Sequence, residues 1–258
     1  MNLSNVSKTA IITMTCRATQ SEDPKSDFND PISVQCLNKL TDLASKSEKK
    51  TILKFKKMYG KYSKNEAKSL VLRVSCIDRI VNEYISNNQE STVINIACGF
   101  DTRYWRIDKK VCTYIELDLP EVIDQKRELL GDQIDYKMIA SSVLDFSWID
   151  EVTKDGNSNF IIVMEGLLMY FQEKDVKKLL GEISQRFTNS MLVTDALDKK
   201  FTEGLYKKIA DWSSKLFYGF ELRWNFGFEK AEDIESYGNY SLVNVEGKQP
   251  YVITASIK

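Results

Sequence analysis

A small-residue turn and a carboxylate that follows it are the residues of this chain best suited to hold a ligand. The turn, Ala97-Cys98-Gly99, ends a β-branched run that begins at Val93. Asp118 ends a second apolar run about 20 residues beyond the turn, the separation found in nucleotide-binding units. Glycine lets the backbone approach a ligand, and the carboxylate accepts hydrogen bonds from ribose hydroxyls. The spacing predicts strand, tight turn, helix and strand, the first half of such a unit.

Asp101, just after the turn, indicates which ligand the turn suits. A nicotinamide site usually carries three glycines so that the pyrophosphate can reach the backbone, whereas this turn keeps only Gly99. The Asp101 carboxylate would add negative charge beside the phosphates. A phosphate-free ligand with a cationic group fits better, and S-adenosyl-L-methionine, with its ribose, sulfonium and ammonium, is such a ligand.

The chain contains no histidine. Mechanisms that use an imidazole as base, nucleophile or metal ligand are therefore excluded. The reactions that remain need no base, or use a carboxylate, a tyrosine or a lysine. No metal site is expected.

Composition predicts one globular domain over residues 1–258. Apolar residues make up 43% and charged residues 28%, and the net charge is -1 without a basic face. Neither nucleic acid nor a membrane is therefore expected as a partner. The five cysteines are odd in number and lack CxxC spacing, which favours reduced thiols. With no long apolar segment at the N-terminus we expect a cytoplasmic protein; the oligomeric state stays open.

Short apolar runs alternate with helical patterns along the chain. Strands are predicted at 93–97, 113–118, 136–140, 160–164 and 191–194, with a closing hairpin at 241–246 and 251–257. This order predicts a doubly wound, mostly parallel seven-stranded sheet of the Rossmann-like α/β class, with a C-terminal antiparallel hairpin. Ligands bind such sheets at the carboxyl ends of the strands, where Ala97, Asp118, Ser142 and Glu165 fall.

Two further segments flank the sheet. Residues 1–60 lack strand alternation and predict an N-terminal helical cap with a helix over 32–44. Residues 197–230 are rich in aromatic side chains and form either packed helix and loop or a lid over an acceptor pocket. The aromatic residues are Phe201, Tyr206, Trp212, Phe217, Tyr218, Phe220, Trp224, Phe226 and Phe228.

Arg73 lies on the apolar side of a predicted helix. Ser63 and Glu66 have capping-box spacing, and apolar residues recur at intervals of three and four from Ala67 to Ile85. An arginine among them either extends its charged end to water or pairs with an anion. Periodicity alone favours the first.

Three ordered motifs lie on the predicted strand ends. Their family patterns are N-L-G-A-G-x-D-T-R-x-x-R, E-x-D-x-P-x-V-I and E-G-x-L-x-Y. They match residues Asn95 to Arg106, Glu116 to Ile123 and Glu165 to Tyr170. In these motifs the chain resembles the leucine carboxyl methyltransferase family, in its bacterial branch related to polyketide O-methyltransferases, over roughly residues 8–258 and most densely over 73–195.

The resemblance implies a class I methyltransferase that uses S-adenosyl-L-methionine as methyl donor and a small molecule as acceptor. Arg73 then clamps the donor's carboxylate, which replaces the first interpretation of this arginine, and Tyr170 lies at the acceptor as the candidate catalytic residue. The implied donor contacts are Arg73 and Arg17 at the carboxylate, Ala97 and Gly99 under the methionine, Asp118 at the ribose, Ser142 and Val143 at the adenine edge, and Glu165 at the amino group.

Other roles stay open for several of these residues. Asp118 could cap the helix that begins at Pro120, and Glu165 could be a solvated strand end. Tyr170 could pack in the core. Arg103 and Arg106 could pair with nearby acids on a surface helix, which we favour for Arg106.

The expected reaction is O-methylation, since a carboxylate acceptor with a pKa near ~4 is ionised at neutral pH and needs no base. A phenol would need a proton acceptor, for which Tyr170 or an acid would serve. Two departures from the family pattern, Ala97 for a glycine and Ser142 for an acid, motivate an alternative, a non-catalytic module that binds the donor as a sensor.

Overall fold

The computed structural model describes residues 5–154, 156, 159–218 and 223–258. Its seven strands form one sheet in the order β3-β2-β1-β4-β5-β7-β6. The strands are β1 Ser91–Ile96, β2 Cys112–Asp118, β3 Lys137–Ala140, β4 Phe160–Met164, β5 Ser190–Ala196, β6 Tyr240–Glu246 and β7 Tyr251–Ile257. The predicted doubly wound α/β sheet is confirmed, and each predicted strand is present close to its expected ends.

Strand direction follows the expected pattern. β1 pairs with β4, β4 with β5, and β2 with β3, all in parallel. β7 runs antiparallel to both β5 and β6 and forms the C-terminal hairpin. β4 is buried along its whole length, as a strand with apolar side chains on both faces should be.

Eight α-helices lie in the described part of the chain. They are α1 Asn5–Ser21, α2 Pro31–Leu43, α3 Lys46–Lys57, α4 Lys64–Asn87, α5 Pro120–Leu130, α6 Ser147–Thr153, α7 Glu173–Arg186 and α8 Gly204–Tyr218. α1 to α3 occupy the region predicted as a helical cap, and α1 packs against α2, α3 and α4.

Two local predictions are wrong. The connection from β1 to β2 contains two three-residue 3-10 helices, Arg103–Trp105 and Lys109–Val111, in place of the expected α-helix. The Ser63 side chain makes no capping hydrogen bond at the start of α4. Ser63 also ends the π-helix Met58–Tyr62, and its backbone (φ -116°, ψ 43°) lies outside the extended conformation typical of a helix N-cap.

The described residues fall into two compact units. The first is drawn from 1–89 and 98–142, and the second from 90–97 and 143–258. The core of the first unit includes the fully buried Val74, Ile77 and Val81 of α4. The core of the second includes β4 together with Leu179, Leu180 and Ile183 of α7, and stacked rings of Trp148 and Phe187.

The aromatic segment 197–230 is an insertion between β5 and β6 with hydrogen-bonded ends. The Lys199 N–H donates to the Phe228 carbonyl at 2.8 Å, and the Phe228 N–H donates to the Leu197 carbonyl at 3.0 Å. Gly227 permits this close approach, because a Cβ there would lie 2.7 Å from the Leu197 carbonyl oxygen. Phe220 lies outside the described residues, and the side chains of Phe217 and Tyr218 are likewise not described.

Among the described residues, no helix is long and apolar enough to cross a membrane. Within the same residues, no group of three or more cysteine and carboxylate side chains is arranged to hold a metal ion.

Candidate active site

In the first unit, Asp118 and Gly99 are joined directly. Asp118 is the last residue of β2, and its Oδ2 accepts a 2.7 Å hydrogen bond from the Gly99 N–H. Its Oδ1 accepts another, also 2.7 Å, from the N–H of Leu119. Each oxygen retains lone-pair capacity for a further donor. Asp118 therefore orders the turn and can still accept from a ribose diol. It does not cap α5, because Leu119 is the N-cap residue and no side chain of the described residues accepts from the first turn of that helix.

The Asp118 carboxyl is 7% exposed, and burial raises its pKa, although the N–H groups of Gly99 and Leu119 act in the opposite direction. Gly99 has φ +50°, a conformation in which glycine is strongly preferred. A Cβ at Gly99 would also lie 3.2 Å from the Cβ of Ala10, so the turn packs closely on α1.

Behind Asp118 on the same face of β2, Glu116 belongs to a buried polar cluster. Its Oε2 lies 2.7 Å from Lys126 Nζ and accepts from the Tyr136 hydroxyl at 3.2 Å. Glu116 and Lys126 are at most 1% exposed. Burial raises the pKa of Glu116, against the opposing effect of the Lys126 ammonium. The first acid of the E-x-D motif thus anchors α5 to β2.

Arg17 and Arg73, the two expected carboxylate contacts, both lie in the first unit. Arg73 is half-buried on α4. Arg17 is 2% exposed, and its Nη2 donates to the Phe100 carbonyl at 2.6 Å while its Nε lies 3.3 Å from Asp30 Oδ2. Arg17 therefore contacts the backbone of Phe100, directly after the turn.

Ser142, the expected adenine-edge residue, is half-buried at the end of the first unit. The preceding Ser141 donates its N–H to the Asp118 carbonyl at 2.9 Å. This bond extends the pairing of β2 and β3 by one residue and fixes the backbone next to Ser142.

In the second unit, Glu165 follows the last residue of β4 and is half-buried. The next residue, Gly166, has φ +67°, and its N–H donates to Asp195 Oδ1 at 2.7 Å. Asp195 lies on β5 and is fully buried. The turn that carries Glu165 is therefore held by a strand-end aspartate, as the Gly99 turn is held by Asp118.

Ala97 and Val143 are the other expected donor residues of the second unit. Ala97 has φ +53°, so it adopts a left-handed conformation where the family pattern has glycine. Val143 is 8% exposed, and its carbonyl accepts from the Trp148 indole N–H at 3.1 Å.

Tyr170 ends the 3-10 helix Leu168–Tyr170 and is half-buried. Asn225 ties the aromatic insertion to this helix, since its backbone N–H donates to the Met169 carbonyl at 2.7 Å. Its side-chain amide donates to the Tyr170 carbonyl at 3.1 Å. Tyr170, the candidate catalytic residue, is thus hydrogen-bonded to the segment predicted as a lid.

Arg106 does pair with acids, as favoured, and so does Arg103, but both guanidinium groups are buried and neither arginine lies on an α-helix. Arg103 is fully buried and contacts Asp78 and Asp101 at 2.7 Å each. Arg106 contacts Asp30, Asp78 and Asp101 within 3.0 Å. Asp30, Asp78 and Asp195 were not predicted as site residues from the sequence. The only sequence signal for Asp30 is an aspartate directly before a proline, a common helix N-cap pattern.

These features define a class I methyltransferase-like α/β fold with a glycine turn and a strand-end aspartate. An O-methyltransferase family protein from Burkholderia thailandensis has a similar fold, with a TM-score of 0.51 and 13% identity, over 92% of this chain and 74% of that chain.

A model of the family described as leucine carboxyl methyltransferase matches residues 10–184, and the chain belongs to this family. It is similar to the tetracenomycin polyketide synthesis O-methyltransferase TcmP of Streptomyces glaucescens, with 23% identity over 198 residues, 76% of this chain and 68% of the relative. It is also similar to the S-adenosyl-L-methionine-dependent methyltransferase dpfgK of Gibberella zeae, with 23% identity, 74% of this chain and 64% of the relative. The expected methyltransferase class and its donor are confirmed.

Proposed function

We propose that this protein transfers a methyl group from S-adenosyl-L-methionine to an oxygen of a small molecule, preferably a carboxylate. The observation that supports the acceptor class is the complete absence of histidine. A carboxylate is ionised at neutral pH and needs no general base. The names of both relatives support the transfer reaction, and neither supports a non-catalytic sensor.

The donor fits the buried groups of the first unit. The Asp118 carboxylate has lone pairs left for the ribose hydroxyls, and its bond to the Gly99 N–H fixes the turn. Arg73 and Arg17 are assigned to the donor's carboxylate and Ser142 to the adenine edge. Arg17 also supports the Phe100 carbonyl directly after the turn. When bound, the donor supplies an electrophilic methyl group on a sulfonium.

In the second unit we assign Glu165 to the donor's amino group, Val143 to the adenine edge and Ala97 to the methionine portion. Each assignment rests on the family motif. For Glu165 it is also supported by the bond from Gly166 to Asp195, which fixes the turn where the glutamate sits. A carboxylate there favours an ammonium over a neutral group.

For methyl transfer the chain must align the acceptor oxygen and exclude water, and alignment alone supplies about 7–11 kcal/mol. We assign acceptor contact to Tyr170 and to the insertion 197–230, acting as a lid. Four large side chains of α8 are exposed at 52–71%: Leu205, Tyr206, Ile209 and Trp212. An exposed apolar helix face in the same insertion as Asn225, which bonds to Met169 and Tyr170, suits a carboxylate acceptor with an apolar body.

The test has two stages. Calorimetry with S-adenosylhomocysteine measures donor-site affinity, and Asp118→Ala should lower it about a hundredfold or more. Asp124→Ala is the matched control, because Asp124 lies on α5 with a side chain that is 75% exposed. Equal affinity in the Asp118 variant and the native protein would overturn the site assignment.

In the second stage, donor with a radiolabelled methyl group is incubated with a panel of carboxylic acids and phenols. Mild base releases volatile methanol from a methyl ester but leaves an aryl methyl ether intact, so one alkaline step separates the two products. If the protein binds S-adenosyl-L-methionine but transfers no methyl group to any acid or phenol of the panel, the sensor alternative would be favoured. Label retained after base would assign a phenol and require a proton acceptor.

We also propose, from the composition and the absence of a basic face, that the protein acts in the cytoplasm without nucleic acid or membrane partners.

A further inference from the structure

A buried network of charges lies around the residues that follow Gly99 in the first unit. Three guanidinium groups face three carboxylates. The arginines are Arg17, Arg103 and Arg106, and the aspartates are Asp30, Asp78 and Asp101. The formal charges of the six side chains therefore cancel. Burying charges in this way is costly unless the geometry is well satisfied, so a network of this size needs a reason beyond stability.

The network links the turn to three helices. Asp30 is the N-cap of α2, Arg17 comes from α1, and Asp78 comes from α4. After the turn, the Thr102 hydroxyl donates to Asp30 at 2.6 Å, and the Phe100 carbonyl accepts from Arg17 at 2.6 Å. Each helix thus contacts the four-residue stretch after Gly99.

Arg103 fixes the shape of the turn. Its Nε and Nη1 donate to Asp78 and Asp101 at 2.7 Å each, while its own N–H donates to Asp101 Oδ1 at 3.1 Å. The Asp101 N–H in turn donates to the Cys98 carbonyl at 2.9 Å. Asp101 is therefore held at both its backbone and its carboxylate, one residue beyond Phe100.

The charges within the network support one protonation state. Burial acts to raise the pKa of Asp101, but the guanidiniums of Arg103, Arg106 and Arg17 outweigh it and hold that pKa well below its usual range. For Arg106, burial acts to lower the pKa, and the carboxylates of Asp78, Asp101 and Asp30 more than compensate. Asp101 and Arg106 are therefore both charged near neutral pH.

We propose that Arg103 and Asp78 are positioning residues for donor binding: they hold the turn so that the Gly99 N–H meets Asp118, although neither is assigned to the donor. This inference rests on the proposed function, because it assigns Asp118 to the ribose. It also gives the N-terminal helices a role, since Arg17 and Asp30 brace the same turn.

The test uses Arg103→Lys and Asp78→Asn. Lysine keeps the positive charge but cannot donate to both carboxylates in the planar geometry of arginine. Hydrogen exchange of the Gly99 amide, followed by NMR in the ligand-free protein, reports the bond to Asp118 directly. We expect both variants to speed this exchange about tenfold and to weaken S-adenosylhomocysteine binding by a similar factor.

Two controls separate positioning from loss of stability. Ile183→Ala removes a fully buried side chain of α7 in the second unit, so it lowers stability without touching the network. At a temperature where all variants are folded, its Gly99 exchange and ligand affinity should match those of the native protein. Asp118→Asn, which weakens the acceptor of the Gly99 bond, should reproduce the faster exchange.

The outcomes are distinguishable. Native-like Gly99 exchange in both network variants would overturn the positioning role, whatever the ligand does. Native-like exchange and affinity in Arg103→Lys alone would also overturn it, because a positive charge at this position would then suffice. Failure of the native protein to bind S-adenosylhomocysteine, with Gly99 exchange still responding to the network, would count against the proposed function and leave the positioning of the turn intact.

Discussion

The N–H of Gly99 donates a 2.7 Å hydrogen bond to the carboxylate of Asp118, 19 residues away. The second unit contains the same arrangement, since the N–H of Gly166 donates to Asp195, also at 2.7 Å. In both cases a glycine with positive φ follows a strand, and the acid belongs to another strand. In each turn the same bond orders the backbone and orients the acid. A substitution at the glycine should therefore alter the position of the acid, and a substitution at the acid should alter the turn.

Donor affinity should fall on mild acidification. Burial raises the pKa of Asp118 above its usual range, so this carboxylate protonates at a higher pH than an exposed aspartate and then accepts hydrogen bonds less well. The folded state binds this proton more tightly than the unfolded chain does. Protonation of Asp118 therefore makes the fold more stable as the pH falls through the raised pKa of this carboxyl. The loss of affinity therefore does not come from unfolding at this residue.

Calorimetry with S-adenosylhomocysteine from about pH 7.5 down to about pH 5, with circular dichroism on the same samples, measures this effect. Asp118→Asn, which carries no titrating group, should bind weakly and with a flatter profile. A native affinity that stays constant until the protein unfolds would show that Asp118 does not meet the ligand as a carboxylate.

Gly99→Ala should cost more than the backbone strain alone. Alanine at φ +50° costs about 1 kcal/mol, and its methyl group would lie 3.2 Å from the Cβ of Ala10, which adds up to about 1 kcal/mol more. Gly204→Ala is the matched control, because Gly204 has φ +58° and a Cβ added there would have no atom within 4 Å. Urea unfolding should give the larger loss for Gly99→Ala, and only that variant should lose donor affinity. Equal losses would mean that α1 does not restrain the turn.

The departure from the family at Ala97 can be reversed. Ala97→Gly relieves a left-handed alanine at φ +53° but adds chain entropy to the unfolded state, so the unfolding free energy should change by less than about 1 kcal/mol. Affinity for S-adenosylhomocysteine should rise about threefold, since the backbone can approach the ligand more closely. Glu90→Gly, at an exposed residue with φ +56°, makes the same backbone change and should leave affinity unaltered. Unchanged or weaker binding in Ala97→Gly would show that the methyl group does not hinder the ligand.

The strands were predictable because their signal is local. Phe160–Met164 is uniformly apolar and forms β4 with the predicted ends, and the two apolar runs after Tyr240 give the final hairpin. The alternation of strands and helices predicted the doubly wound class through general rules for parallel connections. None of these patterns depended on distant contacts.

Helix ends and the first crossover were harder to predict because distant contacts decide them. Ser63 is the C-cap of the π-helix Met58–Tyr62, and this fixes its backbone. The Ser63 backbone is therefore unsuited to the capping box that the spacing of Ser63 and Glu66 suggested. A capping box does form at Ser45 and Glu48, at the start of α3, where the sequence analysis did not predict one. Between β1 and β2, the buried Arg103 pairs with Asp78, which lies 25 residues earlier. Only short 3-10 helices form in this connection.

The site residues that belong to a sequence motif were predictable. Those that are recognised only from their contacts in the folded chain were not. Asp118 and Gly99 were found from spacing, and the structure joins them by one hydrogen bond. Asp30 and Asp78 carry no motif, because an acid that pairs with a buried arginine looks in sequence like any surface acid. Asp30 pairs with Arg17 and with partners 72 to 76 residues away, and Asp78 pairs with partners 25 to 28 residues away.

Trp212 provides the test of the acceptor side. Its side chain on α8 is 66% exposed, so Trp212→Ala should change the unfolding free energy by less than about 0.5 kcal/mol. If the exposed face of α8 contacts the acceptor, kcat/KM for the best acceptor of the panel should fall about tenfold, through a higher KM, while affinity for S-adenosylhomocysteine stays the same. Val243→Ala, at a 56% exposed residue of β6 in the same unit, should alter neither quantity. An unchanged KM in Trp212→Ala would remove α8 from the acceptor site, whereas a loss of donor affinity would place this face of the helix beside the donor instead.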